Sequence, residues 1–394
     1  MSVAKKIAET AKSSSWIRQM FEEGARMQQL HGRDKVVDLS IGNPNLDPPQ
    51  EFQDAILELV QDTSPGVHGY MTNAGYPETC AAVASYLSEE HGVEVKGHHV
   101  VMTSGAAGAL NVIFKAILDP GEEVIVPRPY FVDYGSYVDN HQGVLKPFTT
   151  APDFNLDLDA VAGALGPRSR AILINSPNNP TGRVYPEETI DGLGALLRER
   201  SRELGRTIYL VSDEPYRRIV YDGVQVPSVM SAYENSIVAT SYSKELSLAG
   251  ERIGYLAVNP HTENADELMA GLVLANRILG FINAPALMQR VVTRVQGVTV
   301  DVSPYKRNRD VLCECLRESG FTVNDAEGAF YLFPRSPLED DVAFCRELQE
   351  HLVLTVPGTG FGTPGYFRLA YCVDAEVVDR ALPALRSVGA KYYG

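Results

Sequence analysis

A lysine directly after a strand-like run is the first residue whose neighbourhood is suited to chemistry. Lys244 follows the run 236–243, which contains Ser241 and Ser243, and Arg252 lies eight residues further along. A neutral lysine amine attacks aldehydes, and burial or a nearby cation lowers its pKa enough to free the lone pair. Serine hydroxyls and an arginine suit a phosphate. Considered alone, however, these residues also fit a surface lysine at the end of a strand.

A run of very small residues offers a second place for an anion. Gly105, Ala106 and Ala107 follow the strand-like run 100–104 and open a helical pattern. The first turn of a helix presents unpaired N–H groups and a partial positive charge, and small side chains let a phosphate approach the backbone. Close packing of a strand on a helix favours the same residues equally well.

Three polar residues lie at the ends of other strand-like runs or inside them. Asn179 belongs to the proline-rich turn 174–182, at a strand end where open α/β sheets bind ligands. Asp213 ends an apolar run, so its charge needs a cation such as a protonated pyridine nitrogen, unless the carboxylate caps the next helix. Arg368 lies within an apolar strand, where a substrate carboxylate or an internal ion pair would satisfy it.

The elements that must position these residues alternate between residues 95 and 260. Helical patterns separate short β-branched runs at 122–127, 170–176, 207–214, 236–243 and 252–260. This alternation predicts an α/β fold with a mainly parallel sheet between helices. Later runs predict a smaller α+β domain. We expect an N-terminal segment at 1–45 that packs with the small domain or a partner subunit, a large domain at 46–285 and the small domain at 286–394.

Composition narrows the classes of partner. Lys and Arg number 35 against 50 Asp and Glu, a formal net charge of −15, which argues against nucleic acid and against an anionic membrane surface. No apolar run is long enough to span a bilayer, and the first residues lack the apolar core of a signal peptide. The five cysteines form no CxxC pair. We therefore expect reduced thiols, no metal site and a cytoplasmic protein.

Together and in this order, the motifs resemble those of the class I/II aminotransferases, which are fold type I pyridoxal phosphate (PLP) enzymes. The resemblance is strongest to the aspartate aminotransferase-like branch and runs from Ile41-Gly42-Asn43-Pro44 to Arg368. It implies a large PLP-binding domain and a smaller α+β domain. It also implies transfer of an amino group from an L-amino acid to a 2-keto acid by a ping-pong mechanism, through an internal aldimine on Lys244.

The resemblance assigns further roles residue by residue. It implies that Asp213 meets the pyridine nitrogen, and that Asn179 and Tyr216 contact the phenolic oxygen of PLP. Phe131 would stack on the cofactor ring, with its neighbour Tyr130 as the alternative. The residues implied for the phosphate are Gly105, Ala106, Ala107, Ser241, Ser243 and Arg252.

The same resemblance describes the substrate site and the assembly. Arg368 would hold the α-carboxylate of the substrate together with Asn179, and Gly42 lies in the segment that would cover it. Tyr70 would reach the phosphate of the other subunit, so the resemblance implies a homodimer with shared active sites.

Two questions stay open on the sequence. The first is the substrate: aspartate-preferring bacterial members often carry a lysine at the third position of the phosphate turn, where this chain has Ala107. Arg277 is a candidate for the cross-subunit arginine that contacts the substrate in other aspartate enzymes, but it also suits an ordinary helix surface. The reaction could also be PLP-dependent β-elimination of the C–S lyase type. A non-enzymatic PLP sensor would need a DNA-binding module, which the N-terminal 45 residues are too short to supply.

Overall fold

Helices and strands alternate along most of the chain, and a computed structural model describes residues 2–12 and 16–394. The helices are α1 (Lys5–Lys12), α2 (Trp16–His31), α3 (Gln50–Val60), α4 (Pro77–His91), α5 (Gly105–Ile117), α6 (Asp133–Asp139), α7 (Leu158–Ala164), α8 (Glu187–Leu204), α9 (Val229–Ala232), α10 (Ala265–Ile278), α11 (Ala286–Arg294), α12 (Ser303–Glu318), α13 (Asp341–Glu350) and α14 (Ala375–Tyr393). The strands are β1 (Val37–Asp38), β2 (Val100–Thr103), β3 (Glu123–Arg128), β4 (Val144–Thr149), β5 (Ser169–Asn175), β6 (Tyr209–Asp213), β7 (Ser236–Ser241), β8 (Gly254–Val258), β9 (Tyr331–Leu332), β10 (Val353–Leu354), β11 (Val356–Pro357) and β12 (Phe367–Ala370).

A seven-stranded sheet in the order β2-β8-β7-β6-β5-β3-β4 forms the centre of the large domain. Strands β4, β3, β5, β6 and β7 run parallel to their neighbours, whereas β8 runs antiparallel to both β7 and β2. Every residue of β6, β7 and β8 is buried, as expected for strands covered by helices on both faces. The predicted α/β class with a mainly parallel sheet is confirmed.

Helix ends in this domain follow local chemistry. Asp157 caps α7 by accepting hydrogen bonds from the N–H groups of Asp159 and Ala160, which satisfies two donors that the helix leaves unpaired. Helix α4 ends at Gly92, which has φ 67° and adopts the left-handed conformation that glycine tolerates without strain. These local signals fix where α7 begins and where α4 ends.

The second domain is built on a three-stranded antiparallel sheet in the order β11-β12-β9. Helices α12 and α14 pack on each other and share an apolar core with β9 and β12. The N-terminal segment reaches this domain, since Val37 in β1 pairs with Val353 in β10 and the N–H of Leu39 donates to the carbonyl of Leu354. This pairing brings Gly42 and its neighbours to the edge of the large domain.

Helix α11 packs on the large domain, whereas the predicted boundary after residue 285 would place it in the small domain. Met288, Val291, Val292 and Val295 belong to the apolar core of the large domain, and α11 contacts α3 and α4. The first residue after α11 that belongs to the core of the smaller domain is Val300. The three-part domain division stays a prediction, and these contacts favour a boundary after Val298 over one after Pro285.

All five cysteines are buried free thiols. Among residues 2–12 and 16–394, no helix is both long and apolar enough to cross a membrane. Over the same ranges, the acidic, histidine and cysteine side chains form no group that could hold a metal ion.

Candidate active site

A cavity of about 350 Å³ lies at the carboxyl ends of the parallel strands, where β5, β6 and β7 end in Asn175, Asp213 and Ser241. This edge is where open α/β sheets bind ligands. The predicted site residues that line it are Gly42, Ala106, Ala107, Phe131, Asn179, Asp213, Tyr216, Ser241, Ser243, Lys244, Arg252 and Arg368. A larger cavity of about 650 Å³ lies between α8 and α10 at the opposite edge, and none of the predicted site residues lines it.

Lys244 follows β7 and points its amine at the N-terminal segment. Its Nζ donates a hydrogen bond to the carbonyl of Gly42 at 2.9 Å and lies 5.7 Å from the centre of the Phe330 ring. The pKa of the amine is lowered to about 8, mainly by burial; Cys372 opposes this shift, and the positive charges of Arg368 and Arg252 add to it. A substantial fraction of the amine is therefore neutral and nucleophilic near physiological pH.

Asp213 is the last residue of β6, and its two carboxylate oxygens have different surroundings. Oδ2 accepts a hydrogen bond of 2.5 Å from the hydroxyl of Tyr134, while Oδ1 is buried and has no hydrogen-bond partner among the described residues. Burial raises the pKa of the carboxyl to about 7, and the Tyr134 hydrogen bond opposes this. A protonated pyridine nitrogen would give the unpaired oxygen the cation that a buried carboxylate needs.

The residues predicted to bind phosphate meet at the first turn of α5. Gly105 has φ 74°, and a Cβ there would lie 2.8 Å from Nη2 of Arg252. Ser104 at the N-cap makes no side-chain hydrogen bond to the helix, so the first N–H groups lack a capping partner. The hydroxyl-bearing Ser241 and Ser243 are buried in the same cavity. Amides, hydroxyls and a guanidinium in one cradle fit a phosphate.

Arg368 enters the cavity from β12 of the smaller domain and is 2% exposed. Its guanidinium carbon lies 4.5 Å from the ring centre of Tyr331 and 4.9 Å from that of Phe361. Nη1 donates to Oδ1 of Asn179 at 3.0 Å, and Nη2 donates to the carbonyl of Ser40. Because these partners are neutral and Nε has none among the described residues, a carboxylate ligand suits this arginine.

Two other predicted residues differ in position. Phe131 lines the cavity and packs edge-on against Tyr134 at 5.6 Å, whereas the alternative, Tyr130, is not among its lining residues. Tyr70 is 92% exposed and also lies outside the lining. On one chain, therefore, the cavity is assembled without Tyr70.

Three residues of the site were missed by the sequence analysis. The side chain of Asn175 donates to the carbonyl of Asp213 at 2.8 Å and accepts from the N–H of Asn179 at 2.7 Å, so it fixes both residues. Tyr134 holds Asp213, and Tyr331 shares a hydrogen bond of 2.9 Å with the hydroxyl of Tyr216. Asn175 could have been suspected from its place at a strand end, but the two tyrosines carry no local signal.

The fold and this cavity define a class of protein: a fold type I enzyme in which a buried lysine, a buried carboxylate and an anion cradle fit PLP. Residues 34–385 match the family model described as aminotransferase class I and II, and the chain belongs to that family. It is therefore a PLP-dependent aminotransferase.

Known proteins of this kind are similar over nearly their whole length. The aspartate/prephenate aminotransferase of Thermus thermophilus is 34% identical over 356 residues, which cover 88% of this chain and 89% of that protein. The probable aspartate aminotransferase of Methanocaldococcus jannaschii is 32% identical over 365 residues, covering 89% and 93%. A crystal structure of an amino transferase from Eubacterium rectale shares 41% identity and a TM-score of 0.96, with full coverage of both chains.

Proposed function

We propose that the cavity described above is the active site of this aminotransferase and that Lys244 carries the proton that the reaction moves. The supporting observation is one buried amine and one unpaired buried carboxylate oxygen in the same cavity. A lysine with a lowered pKa that only packs has no need of Asp213 close by. The pair suits a ligand with both an aldehyde and a basic ring nitrogen.

When bound, PLP supplies an aldehyde that reacts with amines and a ring that accepts the electron pair left at the substrate Cα. Nζ of Lys244 would take the proton from the substrate Cα and deliver it to the carbon that was the cofactor's aldehyde carbon rather than back to Cα, because its neutral amine is available near neutral pH. Asp213 keeps the ring nitrogen protonated through its free Oδ1. Arg368 binds the α-carboxylate and thereby fixes which substrate bond faces Lys244.

The remaining residues orient the cofactor. Tyr216 and Asn179 would contact its phenolic oxygen, and Phe131 would pack on its ring. The phosphate would bind the first turn of α5 with Ser241, Ser243 and Arg252. Asn179 also holds Arg368 through Nη1, so the cofactor and the substrate carboxylate share one positioning residue.

Reduction with borohydride tests the role of Lys244, since it fixes a lysine-bound aldehyde permanently. We expect mass spectrometry to find the reduced cofactor on the peptide that contains Lys244. Lys244→Ala should lose both this adduct and amino transfer, while Lys115→Ala, a change at an exposed lysine of α5, should keep both. An adduct on another lysine, or transfer by Lys244→Ala, would overturn the assignment.

The β-elimination alternative uses the same lysine, carboxylate and arginine, so it is separated by products. Elimination from a cysteine conjugate releases pyruvate and ammonia without an amino acceptor, whereas amino transfer requires a 2-keto acid. The relatives are named aminotransferases, and none of the named relatives points to a PLP sensor. We expect product formation to depend strictly on the keto acid.

We further propose that the active unit is a homodimer with shared sites. Tyr70 is almost fully exposed, and so are large parts of Ile278 and Ile282 in a second segment of the chain. Asn73 donates to the carbonyl of Ile282 and Asn283 donates to that of Thr72, which joins the two segments into one surface. Exposed aromatic and apolar side chains on a single surface favour contact with another chain.

A hybrid dimer tests this sharing. In a dimer of one Lys244→Ala chain and one Tyr70→Ala chain, shared sites would leave one site with both native residues and one with neither. Co-expressed chains that pair at random should then recover about a quarter of the wild-type sites. If Tyr70 served its own chain, or no dimer formed, mixing would recover no activity beyond that of Tyr70→Ala alone.

The proposal extends to the cellular compartment and to the side chain of the substrate. Five buried free thiols support a reducing compartment such as the cytoplasm. For the substrate side chain, the names of relatives assigned to aspartate contrast with Ala107 on the cavity wall. Initial rates with a panel of amino acids and 2-oxoglutarate would rank the donors.

A further inference from the structure

Tyr331 contacts both Arg368 and Tyr216 in the candidate active site, although no role has been assigned to it above. It lies in β9, it is 2% exposed and it lines the cavity. Its ring covers the guanidinium of Arg368, and its hydroxyl lies 2.9 Å from that of Tyr216. A tyrosine that only fills the core would need neither contact.

The sheet of the smaller domain explains the contact with Arg368. Tyr331 pairs with Ala370 across β9 and β12, and Arg368, two residues before Ala370, has its side chain on the same face of the strand. Diagonal neighbours on one face are within reach of an aromatic ring. With the Phe361 ring centre 4.9 Å away, the guanidinium contacts two rings, so Tyr331 helps to fix the orientation in which it receives a carboxylate.

The hydroxyl of Tyr331 also explains a glycine in the covering segment. A Cβ on Gly42 would lie 1.9 Å from the Tyr331 hydroxyl oxygen, far inside contact distance. The carbonyl of the same Gly42 accepts the hydrogen bond from Lys244. The hydroxyl therefore occupies space that only a glycine leaves open, directly beside the backbone that orients the lysine.

Hydrogen counting determines the direction of the Tyr216–Tyr331 bond once a cofactor is present. Each phenol has a single proton to donate, and in the proposed function Tyr216 gives its proton to the phenolic oxygen of PLP. The proton between the two hydroxyls must then come from Tyr331. A hydroxyl that accepts such a bond becomes a stronger donor to its own acceptor.

We propose that Tyr331 is a positioning residue that acts through Tyr216 on the cofactor's phenolic oxygen and through its ring on Arg368. This inference rests on the proposed function of the cavity. Losing the Tyr331 hydroxyl weakens the Tyr216 hydrogen bond, so the cofactor oxygen is less stabilised in its charged form. Losing the ring removes one of the two aromatic contacts of the Arg368 guanidinium and weakens binding of the substrate carboxylate. The charged or titratable neighbours of the hydroxyl pair include Arg368, Asp213, Cys372 and Tyr134.

Two substitutions at Tyr331 separate these two contacts. Tyr331→Phe keeps the ring, so it should raise the midpoint of the pH titration of the bound cofactor's visible absorbance by on the order of half a unit, with little change in KM. Tyr331→Leu removes the ring as well and should raise KM for the amino donor roughly tenfold. Tyr233→Phe, which removes a buried hydroxyl bonded to the carbonyl of Ile208, is the matched control and should change neither.

The outcomes also separate this inference from the proposed function. If the wild-type protein binds PLP with a titratable absorbance but Tyr331→Phe has the wild-type midpoint, the hydroxyl does not act on Tyr216 and the inference fails. An unchanged KM in Tyr331→Leu would overturn the contact with Arg368. If the wild-type protein shows no such absorbance, the proposed function itself fails.

Discussion

Asp213 should make the cofactor-free protein less stable as the pH rises. An ordinary aspartate has a pKa of 3.8, and burial raises that of Asp213 to about 7. Between these values the folded protein holds a proton that the unfolded chain has lost, so the free energy of unfolding falls with increasing pH and levels off above pH 7. Asp213→Asn carries no titrating proton and should lack this loss.

The size of the effect follows from the same pKa. Between about pH 5 and pH 7 the contribution of Asp213 to the free energy of unfolding falls by about 1.4 kcal/mol for each pH unit, or roughly 3 kcal/mol in total. Asp213→Asn should therefore gain roughly this much relative to wild type between about pH 5 and pH 8.5. Any fixed cost of the new amide cancels, because it is present at both pH values. Glu245, whose pKa burial raises to about 7, titrates in both proteins and cancels too.

Urea unfolding of the cofactor-free proteins, followed by circular dichroism at the two pH values, measures this difference. Tyr134→Phe should move the window to higher pH, because the Tyr134 hydrogen bond lowers the pKa of Asp213. Adding PLP should stabilise the wild-type protein more than Asp213→Asn, since only a carboxylate meets a protonated ring nitrogen. A difference between wild type and Asp213→Asn that is equal at both pH values would refute the reasoning.

Three further results are expected. Capture of PLP by the cofactor-free protein should accelerate as the pH rises through about 8, because the neutral amine of Lys244 reacts; a stopped-flow rate that is flat across this range would contradict it. Ala107→Lys should raise kcat/KM for aspartate relative to alanine by about tenfold or more, since it places a cation on the cavity wall; an unchanged ratio would mean that the side chain lies elsewhere. Gly42→Ala should raise KM through its clash with Tyr331, and adding Tyr331→Phe should relieve part of this; strictly additive losses would show that the two residues do not touch.

Much of the fold and of the site could be predicted because the relevant signals are local. β-branched runs separated by helical patterns indicate parallel strands, and parallel strands bring their carboxyl ends to one edge. Asp213 lies at one of those ends, and Lys244 follows closely after another. The prolines around Asn179 and the small residues from Gly105 to Ala107 also act on their own backbone. The roles given to these residues came from the family resemblance and stay predictions.

The tertiary structure decided what depends on segments far apart in the chain. Tyr331 meets Tyr216 across 115 residues, and Gly42 meets Lys244 across 202. Neither pairing leaves a period or a motif in the sequence, because it depends on how β9 and the N-terminal segment pack against the large domain. Packing also placed α11 on the large core. The sequence alone thus determined the sheet and the strand ends at or near which Asp213 and Lys244 lie, while only the folded chain showed what holds Asp213, Tyr216 and Arg368 in place.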